Sequence, residues 1–221
     1  MRNRALSGGK ITAVLGALAV GLLLTATASG RVGLRSAPAT SAPSSARSLT
    51  ATFTNSNHVS FTLSACRLPD SNHDGIPDYT LPLGGKFVCN DADYTSGNLG
   101  KSWNELDLVP HRLTTQAGSQ ADATTDYNVI VAADNVTNGV TGYDVIDGFA
   151  INTAESDASC SITSIGAQGT TSGVTGGADT VMYRTLGIHQ DKGTTCVIDY
   201  YQRLALGAAG YSGSSLQSYM F

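Results

Sequence analysis

From Val59 to Ala65 the chain alternates: Val59, Phe61, Leu63 and Ala65 are apolar, and Ser60, Thr62 and Ser64 between them are polar. Successive side chains of an extended chain point to opposite faces, so this period of two predicts a strand with one face buried. Tyr127, Val129, Val131 and Ala133 repeat the pattern, with Ile130 adding an apolar group on the second face. Tyr143–Ile146, Val181–Ile188 and Cys196–Leu206 are further strand candidates, rich in the β-branched and aromatic residues that suit a pleated surface. Asn138-Gly139, Asp147-Gly148, Gly176-Gly177 and Lys192-Gly193 read as turns between them. No long stretch carries the i, i+3, i+4, i+7 stripe of an amphipathic helix.

Short strands with frequent turns predict an all-β fold: an antiparallel β-sandwich, Greek-key or jelly-roll-like, with long loops. We assign it to residues 49–221, about 170 residues and ample for one core. The polar stretch 114–125 (TTQAGSQADATT) reads as a long loop or a linker. A division there into two small sandwiches is a second reading.

The amino-terminal residues differ in kind. Arg2, Arg4 and Lys10 precede the apolar run Ile11–Thr25, and Ala26-Thr27-Ala28 offers a small-residue cleavage site. This is the pattern of a secretory signal peptide over 1–28. The run is short for a membrane anchor, which needs about 20 apolar residues. Residues 29–48, rich in Ser, Ala and Pro, read as a flexible linker. Loss of 1–28 removes three positive charges and no negative ones, taking the net charge from −4 to −7. Such acidity argues against a nucleic-acid partner. No later run is apolar enough to span a membrane.

Export also explains the cysteines. Cys66, Cys89, Cys160 and Cys196 are an even set with no C-x-x-C pair, so disulfides are expected rather than a zinc ribbon. Nearness in sequence favours Cys66–Cys89 and Cys160–Cys196.

The acids are 15 Asp and only two Glu. Three of the Asp fall in Asp70-Ser71-Asn72-His73-Asp74-Gly75-Ile76-Pro77-Asp78. Calcium takes six to eight oxygen ligands, and alternate oxygens converge when a chain curls around the ion. Asp70, Asn72, Asp74, the Ile76 carbonyl and Asp78 are the expected ligands, with Gly75 at the sharp turn. An EF-hand would need Glu where Leu81 stands, and Pro69, Pro77 and Pro82 discourage flanking helices. Residues 70–78 instead resemble a thrombospondin type 3 calcium loop, especially in their D-G-I-P-D core. The implied cofactor is structural calcium. Asp91 and Asp93 could add ligands, or form an ordinary acidic turn.

CNDADYTSGNLGKSWNELDLVPHRL (89–113) and DYYQRLALG (199–207) resemble the uncharacterised amino-terminal region of large secreted or surface-attached bacterial proteins built of β-repeats. The resemblance implies an extracellular, non-catalytic module, supplies no catalytic residues, and no β-repeats follow it within these 221 residues.

Enzyme motifs are missing. G-x-S-x-G, H-E-x-x-H and G-x-G-x-x-G do not occur, and Gly100-Lys101-Ser102 fails as a phosphate loop because residue 95 is Thr. His58, His73, His111 and His189 stand singly. Either His111 or His189 could serve a serine hydrolase as base. Glu105 and Asp107 read as turn carboxylates rather than a glycosidase pair. Trp103 and Tyr94 are candidates for stacking on sugar rings, although a single Trp more often packs in a core.

The leading expectation is a secreted, non-catalytic β-sandwich module, stabilised by calcium and disulfides, with a structural or adhesive role at the cell surface. Its partner would be a cell-surface protein or a glycan. A carbohydrate-binding module is the alternative, and a secreted hydrolase a third reading.

Overall fold

The computed structural model describes residues 53–54, 57–74, 76–97, 99, 102–173, 179–211 and 216–221. The signal peptide, the linker, Gly75 and the Gly176-Gly177 turn lie outside the described residues.

The described chain is all-β, with two antiparallel sheets packed face to face. The strands are β1 (Phe53–Thr54), β2 (Val59–Cys66), β3 (Tyr94–Thr95), β4 (Leu108–Ala117), β5 (Thr124–Thr137), β6 (Val140–Thr141), β7 (Tyr143–Ile151), β8 (Ser161–Ile165), β9 (Gly169–Ser172), β10 (Thr180–Asp191), β11 (Thr195–Leu204) and β12 (Ser218–Met220). One sheet runs β1-β2-β4-β11-β7, with β3 also on β2. The other runs β12-β5-β10-β8, with β6 on β5 and β9 on β10.

The alternation read in the sequence is the burial observed. In β2, Val59, Phe61, Leu63 and Ala65 are buried while Thr62 is exposed. In β5, Tyr127, Val129, Val131 and Ala133 face the other sheet, and Asp126 and Asn128 face solvent. They meet Leu113, Ile146, Leu186, Ile188 and Ile198 in one core. Beyond Ile130 strand β5 is buried on both faces, because Ala132 lies against Val181 and Tyr219 in a small outer cluster.

The chain crosses between the sheets several times, and two of these crossings, β4 to β5 and β10 to β11, meet at one end. They are stitched together: Gly193 N donates to Ala117 O (3.0 Å), Ala117 N to Thr194 O (3.0 Å) and Lys192 N to Ala123 O (3.1 Å). Inside this end, Tyr127, Thr115 and Gln190 share buried hydrogen bonds, and Gln190 Nε2 donates to Thr194 O (2.9 Å). The Lys192-Gly193 turn is thus a crossing between sheets, with Gly193 at φ +77°. Asn138-Gly139 is a two-residue hairpin turn with both φ positive (+51° and +81°), the geometry these residues favour.

Two expectations need correction. Asp147-Gly148 does not separate strands. It is a bulge within β7, where the pairing with β11 steps from Asp199↔Ala150 to Tyr201↔Asp147 and gives β7 one extra residue. Residues 114–117 are no loop either. They end β4, a ten-residue strand between β2 and β11 that the alternation did not reveal. From Val109 to Leu113 strand β4 is buried on both faces, which erases the period of two there. Its Pro110 lies past the last β2–β4 pair, Ala65↔His111, so the missing N–H breaks no ladder on that side.

Both disulfides link the cysteines expected, Cys66–Cys89 (Cα–Cα 6.0 Å) and Cys160–Cys196 (5.3 Å). Cys196 belongs to the main core, and Cys160, just before β8, packs against it. Cys66 ends β2 and anchors the excursion 67–107, which returns to the sheet only at β3 before β4 and has little other regular structure among its described residues. That excursion carries the residues singled out for function.

Candidate functional site

The excursion folds over its own small core. Cys66, Leu68 and Cys89 are buried, with Tyr79, Leu81, Tyr94 and Trp103 packed against them. Trp103 Nε1 donates to Cys66 O (3.2 Å), which fixes the ring at the disulfide. Trp103 also touches the sandwich core, so it joins the two.

The loop 70–78 closes on itself. Asp78 N donates to Pro69 O (2.8 Å), and Ser71 gives Asp78 its backbone N–H (3.1 Å) and its hydroxyl (2.6 Å). The Ser71 hydroxyl, then its N–H, hold the Asp78 carboxyl below the usual range. Asp74 N donates to Asp70 Oδ1 (3.1 Å) and Asn72 Oδ1 (3.2 Å), while Asp74 accepts from Asn72 Nδ2 (2.9 Å) and Ile76 N (2.8 Å). Asp70 to Asp78 thus form nested Asx turns. Their donors are oxygens alone, the set a hard cation requires. The Ile76 side chain is exposed. His73, at φ +59°, is exposed. Among the described residues no three His, Cys, Asp or Glu side chains already stand together as a metal cluster.

Asp91 and Asp93 have partners of their own, outside the 70–78 loop. Asp91 accepts from Arg112 Nη1 (2.9 Å). Asp93 accepts from the Tyr79 hydroxyl (2.6 Å) and Asn90 Nδ2 (3.3 Å). Burial, then the hydrogen bond to Asp93, raises the Tyr79 pKa, so the phenol is held as a neutral donor. Tyr94 has a ring face covered by the Arg112 guanidinium, 4.2 Å from its centroid, and its hydroxyl accepts from Cys89 N (3.4 Å). Burial, with the Asp199 charge next, pushes its pKa up to about 12.

Between the excursion and the open end of the sandwich lies a cleft of about 1320 Å³. Asp70, Ser71 and His73 form part of one wall, Trp103 and Glu105 another, and His111 and Ser218 lie deeper. A smaller hollow of about 370 Å³ adjoins it, lined by Tyr79, Phe87, Trp103, Asn104 and Asp107. Trp103 lines both. Glu105 Oε1 accepts from Ala209 N (3.2 Å), and the N–H groups of Gly207 and Ala209 lower its pKa. Asp107 Oδ2 accepts from Asn104 N (2.6 Å), closing the turn between them.

The two histidines weighed as bases do not pair. His189 Nδ1 meets Asp126 Oδ1 (2.9 Å) at the surface of β10 and β5. His111 is fully buried on β4, with Nδ1 at Val109 O (2.9 Å) and Nε2 at Ser218 Oγ (2.9 Å). Its ring packs on Tyr200 and Tyr143, and burial depresses its pKa to about 4. Sequence reasoning did not find this His–Ser contact. It spans 107 residues and lies on β4, the strand the alternation concealed. No protein-family model, curated protein or solved structure matches this chain.

Proposed function

We propose that the chain is exported and acts as a β-sandwich module stabilised by disulfides and calcium, with a structural and adhesive role at the cell surface. The cleft carries this reading, because the Asp loop forms part of its wall. The two disulfides fit an extracellular protein. Asp70, Asn72, Asp74, the Ile76 carbonyl and Asp78 would hold the ion, exchanging hydrogen bonds within the loop for a cation. Calcium would then order the wall that Asp70, Ser71 and His73 present to a ligand.

A glycan is the favoured ligand over a cell-surface protein. Trp103, Tyr79 and Phe87 put three aromatic groups around the adjoining hollow, beside the polar Asn104 and Asp107. Aromatic faces with a few fixed polar groups suit sugar rings. Calorimetric titration with calcium, followed by glycan-array binding with calcium or chelator, tests both parts. We expect calcium binding that Asp74→Ala weakens at least tenfold, and glycan binding that falls with chelator and in Trp103→Phe. Absence of calcium binding would refute the metal role. Glycan binding unaffected in Trp103→Phe would refute this site.

A further inference from the structure

His111 and Ser218 of the cleft lining belong to a buried chain of polar side chains that ligand adhesion does not require. The Val109 carbonyl can only accept, so the hydrogen bond from His111 Nδ1 (2.9 Å) places the imidazole proton there. Nε2 then turns its lone pair to Ser218 Oγ, 2.9 Å away. Gln202 Oε1 also lies 2.6 Å from that hydroxyl, which has a single proton to give. In this arrangement Gln202 Nε2 and the Tyr200 hydroxyl are buried without a partner.

The two ends of an amide are nearly isosteric, so their assignment follows from the hydrogen bonds. Turning the Gln202 amide by half a revolution brings Nε2–H to Ser218 Oγ. It carries Oε1 to where Nε2 stood, on the buried face of β11 that Gln202 shares with Tyr200 two residues away. The proton order then has one direction: Gln202 to Ser218, Ser218 to His111, and His111 to the Val109 carbonyl. One rotation gives Gln202 Nε2 a partner and aims the serine proton at the imidazole.

We propose that Ser218 and His111 are a nucleophile and base for acyl transfer, acting on a short-chain O-acyl ester bound in the cleft. Both residues line that cleft. Ser218 Oγ bonds to the acyl carbon while its proton passes to His111 Nε2. The ester C–O bond breaks, and the leaving alkoxide takes that proton. Water then adds to the acyl carbon, giving its proton to His111, and Ser218 departs with that proton as the carboxylic acid forms. Gln202 is a positioning residue. The Tyr143 phenol, which also lines the cleft, is the candidate donor to the developing oxyanion.

The proposal rests on the cleft as a ligand site, but not on the ligand being a glycan or on calcium. The test uses the disulfide-bonded protein with a fluorophosphonate probe and p-nitrophenyl acetate. Peptide mapping of the unsubstituted protein is expected to find the phosphonate on Ser218. Ser218→Ala should abolish labelling and turnover, with its circular-dichroism melt reporting the fold. His111→Gln should slow turnover by about 100-fold or more. Failure to label Ser218 in the unsubstituted protein overturns the proposal, whatever the variants do. Ser218 labelling without glycan binding would sustain acyl transfer and refute the glycan reading, while glycan binding without labelling would do the reverse.

Discussion

Arg112 faces Asp199 across the β4–β11 ladder and holds both carboxylate oxygens, at 2.7 Å through Nε and 3.3 Å through Nη2. Asp91 takes Nη1, the Tyr94 ring covers the guanidinium, and Asn152 Nδ2 donates to Asp199 (3.0 Å). Burial works against the charge, yet the two carboxylates raise the Arg112 pKa. The pair connects the excursion to the middle of the sheet. Replacing Arg112 by Met leaves the Asp199 charge buried without its partner. We expect urea unfolding to show a loss of about 3–5 kcal/mol. The double variant Arg112→Met/Asp199→Leu should recover much of it, because no unpaired charge is left behind. A double variant no better than the single one would refute this account.

His111 sets an acid limit. Its folded pKa, about 4, lies below the ordinary 6.5, so the unfolded chain takes up a proton that the folded chain refuses. Its contribution to stability is therefore complete above about pH 6.5, falls as pH drops to 4, and changes little below that. The full loss is on the order of 3 kcal/mol. Asp134 acts in the opposite sense, since burial raises its pKa. The difference between the unsubstituted protein and His111→Gln therefore isolates the histidine. That difference, followed by chemical denaturation from pH 7 to 4, should narrow or reverse by about this amount, and a constant difference would be evidence against the assignment.

The disulfides should have separable effects. Cys160 and Cys196 are 36 residues apart and tie the start of β8 to the core of β11, so replacing both by Ala should cost about 3–4 kcal/mol in global stability. Replacing Cys66 and Cys89 releases the excursion from its anchor. Limited proteolysis of that variant should cut within 67–107 first and leave the two sheets as a resistant fragment.

Gly148 has a φ of +75°, and a Cβ there would overlap the Tyr201 ring. Gly148→Ala should therefore lower the melting temperature, at a cost of about 1–3 kcal/mol. Adding Tyr201→Ala removes the overlap and leaves the backbone strain. The Gly148→Ala penalty should be smaller in that background, and an equal penalty would place all of it in the backbone.

The fold was legible where a strand has one wet face. β2 and β5 as far as Val129 show this, since each outward position is Ser, Thr, Asp or Asn. β4 was hidden because both faces are covered, and because Pro110, His111 and Arg112 look foreign to a strand when read alone. The Asp147-Gly148 pair shows a second limit: the same dipeptide can close a turn or form a bulge, and pairing with Tyr201 decides which. The cysteine pairs followed from nearness along the chain. The Asp70–Asp78 loop was visible because its spacing is local. The His111–Ser218 contact was not, because it depends on how β12 returns to the end of the sandwich.

The excursion 67–107 stands outside the β2–β4 ladder, which pairs Val59 through Ala65 with Ala117 through His111 without its help. The part of the cleft wall formed by Asp70, Ser71 and His73 is thus drawn from residues that pair in neither sheet. Substitutions between Pro69 and Asp78 can alter what the surface meets while the β2–β4 pairing is spared. The architecture separates evolvability from foldability: one disulfide-anchored segment is free to diversify on a frame that stays constant.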